Sequence, residues 1–293
     1  MEHKSGFVNI IGNPNVGKST LMNTLVGEKL SIITSKAQTT RHRIMGIVSG
    51  ENFQIIYSDT PGIIHPKYKL HEKMVRFVNL AMEDADILLY VTDIKEQYDK
   101  HQEYIEKLQK TEIPVILIVN KIDKARDEEV EEIMEHWEKV LPNAHVMPAS
   151  ALKGHNLLAV FDKILELLPD NPPYYSKDAL TDKPERFFVS EIVREKIFKH
   201  YKKEIPYSTE VQIEEFKEEE KILRIRAVIF VLRKSQKGIL IGNKGEALKK
   251  VGVHAREDLE AIYGKKVYLE LYVKIHKDWR DKDGFLRSTG YKM

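Results

Sequence analysis

The 293-residue sequence contains no cysteine, which excludes disulfide bonds, cysteine nucleophiles and thiolate zinc sites. It also has no run of about 18 uncharged apolar residues, so no transmembrane helix is predicted. The N-terminus, MEHKSGFVNIIGNPN, lacks the pattern of a signal peptide. Together these absences lead us to expect a cytoplasmic protein.

The composition, with 42% hydrophobic and 31% charged residues, is typical of a chain that forms a core. Its length suggests two domains at about 150 residues each. The charge is uneven. Residues 1–172 carry 20 Lys and Arg against 25 Asp and Glu, whereas residues 173–293 carry 27 against 20. A basic second half favours contact with a polyanion there, and a chance imbalance is the alternative.

The first 170 residues alternate short apolar runs with longer periodic segments. Strands are predicted at 7–11, 44–48, 53–57, 87–91 and 115–119, and helices at 18–26, 96–110, 127–139 and 155–168. The runs 44–48 and 53–57 flank a turn and predict a hairpin. The alternation predicts an α/β domain over residues 1–170, with a doubly wound, mostly parallel sheet.

Three prolines within residues 169–173 predict a stiff connector, and we place a Pro-rich linker at 171–184. A second, α+β domain is predicted over residues 185–277. Its expected elements are a helix at 185–200, strands at 211–216 and 222–232, a strand-like run at 238–242, a helix at 246–263 and a strand at 267–275. Residues 278–293 lack periodicity and are expected to form a C-terminal tail.

The segment GNPNVGKS follows a predicted strand, precedes a predicted helix and matches the P-loop pattern. Its glycines let backbone N–H groups turn toward phosphate, and the helix N-terminus adds its dipole. Lys18 is expected at the β- and γ-phosphates and the Ser19 hydroxyl at Mg²⁺. The predicted nucleotide contacts here are Gly12, Asn13, Pro14, Asn15, Val16, Gly17, Lys18, Ser19 and Thr20.

The segment NKID at residues 120–123 ends the strand 115–119, at the sheet edge where ligands bind. The Asp123 carboxylate can accept from guanine N1–H and the exocyclic amine, and adenine offers no such pair of donors. Asn120 and Lys121 complete the motif, with the Lys121 stem over the base. Ser150 and Ala151 follow the next apolar stretch, where a backbone N–H is expected to donate to guanine O6.

The segment DTPG at residues 59–62 ends the hairpin's second strand. Asp59 is expected to hold Mg²⁺ through water, and the Gly62 N–H to sense the γ-phosphate, with Thr60 and Pro61 beside the nucleotide. In the preceding segment QTTR, one threonine should complete the Mg²⁺ shell. We prefer Thr40 to Thr39; the alternative is a pair of solvated loop threonines.

These motifs, in this order, resemble the Era-like family of bacterial GTPases, which belongs to the TrmE-Era-EngA-like group of the translation-factor superclass. The resemblance covers the whole chain. It implies a GTP-hydrolysing switch of small-subunit ribosome assembly that binds GTP and GDP.

A water-orienting glutamine often follows the Asp-x-x-Gly motif in GTPases, but Ile63 stands there and has no polar side-chain atom. His65 is the nearest ionisable group; it is either catalytic or simply solvated. Catalysis is therefore assigned to Lys18, Thr40, Gly62 and Mg²⁺. Asn15 either binds a K⁺ ion, as the resemblance implies, or only accommodates the loop's backbone.

The segment GNKG at residues 242–245 lies between an apolar run and a predicted helix, as the clamp loop of a KH domain does. The resemblance implies the bacterial (type II) KH fold and the single-stranded 3′ region of small-subunit ribosomal RNA, within the 30S subunit, as partner. The predicted RNA contacts are Gly242, Asn243, Lys244, Gly245, Lys249, Lys250 and Arg256; the last three are otherwise solvated helix surface.

The resemblance also implies peripheral contact with the cytoplasmic side of the membrane, for which Lys199, Lys202 and Lys203 are candidates. No amphipathic anchor is evident, and a monomer is expected. Two other readings stay open. One is an RNA-binding module whose front domain binds GTP without hydrolysing it, as Ile63 allows. The other is an ATP-dependent RNA enzyme, which Asp123 opposes.

Overall fold

The chain forms two compact units in the computed structural model, which describes residues 3–95 and 101–291. The first unit comprises Met1–Ser31, Thr40–Pro66 and His71–Asp182, and the second comprises Ile32–Thr39, Lys67–Leu70 and Lys183–Met293. The main division after Asp182 falls inside the stretch 171–184 that the sequence suggests as a linker.

A six-stranded sheet in the order β2-β3-β1-β4-β5-β6 forms the centre of the first unit. Its strands are β1 (Lys4–Gly12), β2 (Ile44–Ser49), β3 (Phe53–Asp59), β4 (Ile87–Asp93), β5 (Val115–Asn120) and β6 (Ala144–Pro148). Only β2 is antiparallel, paired to β3 as the predicted hairpin. The carboxyl ends of the five parallel strands therefore meet at one edge, where loops can form a site.

The helices α1 (Lys18–Val26), α3 (Gln102–Lys110), α4 (Asp127–Val140) and α5 (Leu157–Leu167) lie in this unit, and α2 (Lys69–Glu83) belongs to it from His71 onward. Every residue of β4 and β5 is buried, as their continuous apolar sequences predict. The α/β prediction is confirmed. Part of the helix predicted at 96–110 is α3, and residues 96–100 lie outside the described residues.

Helix α2 was not predicted from the sequence, although its signal is present. Met74, Val78 and Ala81 follow one another at intervals of four and three residues and are at most 1% exposed. This spacing places them on one helix face, which packs inward.

Much of the stretch 171–184, predicted as a stiff connector, is hydrogen-bonded along the first unit. The Gln54 side-chain oxygen accepts from the backbone N–H groups of Tyr174 and Tyr175, at 2.8 and 2.9 Å. The Ile47 N–H donates to Leu180 O at 2.8 Å. The prolines predict an extended backbone for this stretch. Its hydrogen-bond partners are distant in the sequence, so local patterns could not predict them.

The second unit contains α6 (Glu185–His200), β7 (Thr209–Glu218), β8 (Ile222–Val231), α7 (Lys234–Ile241), α8 (Glu246–Tyr263), β9 (Lys266–Ile275) and α9 (Asp283–Ser288). Its sheet has the order β7-β8-β9, with an antiparallel first pair and a parallel second pair. Its core joins apolar residues of α6, α8 and all three strands, including Val193, Val251, Leu259 and Ile229.

The strand-like run at 238–242 is instead the end of α7 and its cap, so this prediction was wrong. A short apolar run does not distinguish a strand from a buried helix turn. The helix is favoured because the Gln236 side-chain oxygen accepts from the N–H groups of Leu232 and Arg233, both at 3.1 Å. Leu240 is fully buried on its inner face.

The predicted tail at 278–293 is also structured over its described part. It contains a 3₁₀ turn, Trp279–Asp281, followed by α9. Trp279 and Tyr291 are both 0% exposed; the Trp279 indole donates to Ser208 O at 3.1 Å and the Tyr291 hydroxyl to Glu210 at 3.2 Å. Two isolated aromatic residues make no periodic pattern, which is why the sequence did not reveal this docking.

Within residues 3–95 and 101–291, none of the helices combines the length and the apolar character needed to cross a bilayer.

Candidate functional site

The loop between β1 and α1 requires glycine at two positions. Gly12 and Gly17 have φ values of 143° and 106°. A Cβ atom would come within 2.2 Å of Val91 O at Gly12, and within 2.2 Å of Asn120 Nδ2 at Gly17. Both glycines are therefore needed for backbone conformation and for close packing against neighbouring strand ends.

Lys18, the first residue of α1, is only 6% exposed. Its ammonium donates to the carbonyl oxygens of Gly12 and Asn13, at 2.9 and 2.8 Å. The loop thus holds one positive charge beside the N-terminal end of a helix, an arrangement that favours an anion such as phosphate.

Three oxygen-bearing side chains from separate segments meet beside this loop. The Ser19 hydroxyl donates to Asp59 Oδ2 at 2.6 Å and lies 2.9 Å from Thr40 Oγ1. Thr40 also approaches Asp59 Oδ2, at 3.4 Å. The Thr39 hydroxyl instead bonds Thr34 and the carbonyl of Lys36. The structure therefore brings Thr40, and not Thr39, to the predicted metal ligands.

Asp59 is fully buried, and burial raises its pKa, while the Ser19 hydrogen bond and the Lys18 charge act in the opposite direction. Its Oδ1 atom has no hydrogen-bond partner among the described residues. A buried carboxylate oxygen without a partner, next to two hydroxyls, is the hard oxygen donor set that Mg²⁺ prefers. These residues fit a magnesium ion.

At the opposite end, Asn120 links two loops. Its amide nitrogen donates to Val16 O at 2.8 Å, and its oxygen accepts from Ala151 N at 3.0 Å. Lys121 donates to Asn15 O and to Asp93 Oδ2, both at 2.5 Å. Asp93, the last residue of β4, was missed in the sequence; its signal is its place at the carboxyl end of a parallel strand.

Asp123 is exposed, and its Oδ1 accepts from the Ser150 hydroxyl at 2.6 Å. This hydrogen bond is the main reason that the pKa of Asp123 is lowered. Ser150 itself is fully buried. Ser150 therefore holds the carboxylate ionised and oriented, which is what a hydrogen-bond acceptor for guanine requires.

The backbone N–H groups near Ser150 already have partners inside the protein. Ala149 N donates to Val119 O at 2.9 Å, Ser150 N to His155 O at 3.1 Å, and Ala151 N to Asn120 Oδ1. Donation from Ala151 to guanine O6 stays a prediction. In this geometry it requires the Ala151 N–H to be shared between Asn120 and the base.

The residues after Asp59 lie close to the P-loop. A Cβ on Gly62 would come within 2.8 Å of Pro14 Cα, and the Ile63 N–H donates to Gly12 O at 3.1 Å. The Ile63 side chain is 1% exposed and belongs to the core. The Thr60 hydroxyl donates to Ile10 O, at 2.7 Å. Thr60 thus braces the loop, and residue 63 does not face the phosphates.

In the second unit, the clamp sequence forms a 3₁₀ turn, Asn243–Gly245. Gly242, Lys244 and Gly245 have φ values of 73°, 48° and 83°. A Cβ on Gly242 would lie 2.5 Å from Ala247 Cβ, whereas a Cβ on Gly245 would meet nothing within 4 Å. Both glycines suit the turn's conformation, and Gly245 leaves the backbone open to a ligand.

A groove of about 310 Å³ extends from this turn between α8 and β9. Its lining residues are Gly245, Leu248, Lys249, Gly252, Val253, Arg256, Leu269 and Leu271. An apolar floor with cationic residues at its rim suits a base and its phosphate. The apolar floor residues Leu248, Val253, Leu269 and Leu271 were not among the RNA contacts predicted from the sequence.

The three cationic RNA contacts predicted on α8 divide into two groups. Lys249 and Arg256 line the groove, and Arg256 also pairs with Glu260 at 3.1 Å. Lys250 is not among the lining residues. Its charge instead contributes to lowering the pKa of His200, at the end of α6. On α8, residues 249, 252, 253 and 256 share a face, and residue 250 lies about 100° away from residue 249. The structure therefore does not place Lys250 in the groove.

Comparison with protein families matches residues 7–121 to a family described as 50S ribosome-binding GTPase, and residues 204–280 to the KH domain. Among curated proteins, the chain is 44% identical over 292 residues to GTPase Era of Staphylococcus haemolyticus, covering 99% of this chain and 98% of that one. It is also 44% identical over 291 residues to GTPase Era of Clostridium kluyveri, covering 99% of each.

Two solved structures match over nearly the whole chain. One is Era in complex with MgGDPNP and nucleotides 1506–1542 of 16S ribosomal RNA, at 41% identity, with a TM-score of 0.95, covering 99% of this chain and 100% of that one. The other is a tyrosine-to-alanine variant of Aquifex aeolicus Era bound to GDP and aluminium fluoride, also at 41% identity, with a TM-score of 0.94 and the same coverage.

Proposed function

This chain belongs to the Era family of GTPases, and on that premise we propose that it binds the 3′ end of 16S ribosomal RNA and acts in assembly of the 30S subunit. It has a GTPase domain followed by a KH domain, so it pairs GTP hydrolysis with a nucleic-acid groove. The observation that carries the proposal is the match, over 99% of this chain, to an Era that holds both a magnesium nucleotide and 16S nucleotides.

The first unit supplies the parts for guanine nucleotide binding. We assign the Lys18 ammonium, which the P-loop holds at the start of α1, to the phosphates, and Asp123, which accepts from Ser150, to the base. Ser19, Thr40 and Asp59 would hold Mg²⁺, which supplies positive charge against the phosphate oxygens. A carboxylate at the base end favours guanine over adenine, which opposes the ATP-dependent reading.

For hydrolysis, we assign charge stabilisation to Lys18 and backbone donation to Gly62, with Thr40 as the ligand from the segment before β2. Ile63 is packed in the core and orients no water, so catalysis relies on preorganised donors. We also propose that Asn15 binds K⁺ as an additional positive charge. Its φ of 68° fits an asparagine in the left-handed region.

The second unit supplies the groove for single-stranded RNA. We propose that the Asn243–Gly245 turn approaches phosphate and that Lys249 and Arg256 add charge beside the apolar floor formed by Leu248 and Leu271. We also propose that the protein contacts the cytoplasmic face of the membrane through Lys199, Lys202 and Lys203. We further propose that it is a monomer. Each of these two stays a prediction.

We propose that nucleotide state changes the presentation of the KH domain through residues 34–42 and 60–75. One compact-unit boundary lies between Thr39 and Thr40. Within the second unit, the Thr39 carbonyl accepts from the Arg194 guanidinium, and the Lys36 ammonium donates to Phe198 O. The next residue, Thr40, bonds Ser19 in the first unit. We therefore expect that a change in what Thr40 binds alters the position of the residues directly before it, which belong to the second unit.

The test is binding of the full-length protein to an RNA of the sequence that the solved Era complex contains, with a scrambled RNA as control. Replacing Asn243 and Lys244 with Asp places two carboxylates at the clamp, so RNA affinity should fall at least about tenfold. Affinity for a fluorescent GDP analogue should not change. Unaltered RNA binding by this variant would contradict the assigned groove.

Phosphate release from GTP separates the hydrolysing switch from a non-hydrolysing sensor. We expect slow release that requires Mg²⁺. Complete absence of release in both K⁺ and Na⁺ buffers would favour the non-hydrolysing alternative.

A further inference from the structure

A second cluster of ligating side chains lies in the first unit, apart from the residues that form the nucleotide site. His65, His101 and Glu103, the His–Glu cluster, each offer one ligand atom, and these atoms all lie within 4.8 Å of one another. Among residues 3–95 and 101–291, no other group of three His, Asp or Glu side chains brings its ligand atoms this close together.

The backbone brings the three residues together from two segments. His101 directly precedes α3 with a φ of 62°, and Glu103 lies in the first turn of that helix. His65 follows Gly62 by three positions. The rings of His65 and His101 are 4.7 Å apart between centroids, inclined by 37°. The cluster therefore joins the segment after Gly62 to the start of α3.

The donor set is characteristic of one class of ion. Two imidazoles and one carboxylate suit Zn²⁺ and its neighbours Co²⁺ and Ni²⁺, whereas Mg²⁺ and Ca²⁺ prefer oxygen ligands alone. In a tetrahedral site with bonds of about 2.0–2.2 Å, ligand atoms lie about 3.3–3.6 Å apart. His65 and Glu103 are exposed, so small side-chain rotations close the remaining gap, and a fourth position stays open to water.

We propose that His65, His101 and Glu103 bind one Zn²⁺-class ion, which ties the segment after Gly62 to the first turn of α3. The α3 N-terminus disfavours a cation only weakly at an exposed site, and the Glu103 charge offsets that effect. Because His65 lies so close to the residue assigned to the γ-phosphate, the bound ion restrains the segment that hydrolysis is expected to release. The binding itself does not depend on the proposed function.

Two other places could take such an ion, and the experiment distinguishes them. The His200 and His254 rings are stacked, with nitrogens 2.6 Å apart. Ser19 and Asp59 offer oxygens at the magnesium position. Millimolar Mg²⁺ with GDP occupies the site at Ser19 and Asp59. A His254→Asn variant removes the His200–His254 pair.

The test is binding of Co²⁺ and Zn²⁺ to the full-length protein in Mg²⁺ and GDP. Visible absorption follows Co²⁺, and competition with a chromophoric chelator measures Zn²⁺. We expect one equivalent, with affinity reduced at least about tenfold in His65→Ala, His101→Asn and Glu103→Gln. Asparagine at residue 101 keeps the left-handed backbone. His145→Ala, at an exposed histidine elsewhere, should bind as the unmodified protein does.

A second measurement is thermal unfolding. An ion that binds only the folded chain raises the unfolding temperature, and this rise should be lost in Glu103→Gln but kept in His254→Asn. The proposal is overturned if no metal binds, if binding is lost in His254→Asn instead, or if Glu103→Gln binds and stabilises like the unmodified protein.

Discussion

Asn120 donates from its side-chain amide to the carbonyl oxygen of Val16, across 2.8 Å. The same side chain accepts from Ala151 N, and its nitrogen occupies the space that a Cβ on Gly17 would need. One buried amide thus fixes the phosphate loop and the guanine loop to the end of β5. This residue therefore contacts both ends of the nucleotide site.

Replacing Asn120 with Ala should weaken GDP and GTP binding about 5- to 150-fold. The change leaves buried groups of Val16 and Ala151 without partners, at about 1–3 kcal/mol. Binding of a fluorescent GDP analogue measures the effect. Asn143→Ala is the matched control, because Asn143 makes a similar bond to Leu108 O at 3.0 Å away from the loops. Equal losses in both variants would contradict the bridging role.

Ile63→Gln should not raise GTP turnover, although it introduces the glutamine found at this place in many GTPases. The side chain at residue 63 packs in the core, so the amide is buried and stability should fall by about 2–4 kcal/mol. Phosphate release and urea unfolding measure the two effects. The neighbouring Ile64→Gln, at a half-buried position, should lower the free energy of unfolding by less. A faster Ile63→Gln enzyme would show that residue 63 reaches the nucleotide.

Lys249→Ala should weaken RNA binding, whereas Lys250→Ala should not. Lys249 lines the groove, and Lys250 lies near His200 instead. If Lys249 contacts one phosphate, its loss should also reduce the salt dependence of binding, by about 0.7 in the logarithmic slope. Titrations of labelled RNA at several salt concentrations provide both values. Indistinguishable variants would mean that the groove is not the RNA path.

Potassium should raise the GTP turnover of the unmodified protein above that in sodium, and Asn15→Gly should abolish the difference. Glycine tolerates the left-handed backbone at residue 15 but lacks the amide oxygen. Rates are compared for both proteins in both salts. Four equal rates would exclude the K⁺ role of Asn15.

Acidification should destabilise the second unit through His200. Burial lowers its pKa, as do the nearby charges of His254, Lys196, Lys250 and Lys199. The unfolded chain therefore binds a proton at His200 more readily than the folded chain does. The stability that depends on neutral His200 is present above the ordinary histidine pKa of about 6.5 and is lost as pH falls below that value. The effect should be small because His200 is exposed.

The measurement is the urea midpoint at about pH 7.5 and about pH 5.5, for the unmodified protein and for His200→Gln. The variant should lose less stability on acidification. His155→Gln, at an exposed histidine of the first unit, should behave as the unmodified protein does. A His200→Gln protein with an unchanged pH response would contradict the prediction.

The arrangement of the nucleotide site could be anticipated from the sequence because its motifs are local. Phosphate loops need glycine where the backbone turns, and the strand ends that carry Asp59 and Asn120 meet at one edge of any parallel sheet. The preference for Thr40 over Thr39 as a magnesium ligand stays a prediction, and the structure places the Thr40 hydroxyl beside Ser19 and Asp59.

What only the tertiary structure decided depends on partners that are distant in the chain. The Gln54 side chain accepts from the backbone of the stretch after residue 171, and Ser208 O accepts from the Trp279 indole. Lys249 lines the groove, whereas Lys250 is not among its lining residues. The His–Glu cluster joins residues 36 positions apart. Local sequence encodes backbone conformation and periodicity, whereas these contacts form only when packing brings separate segments together.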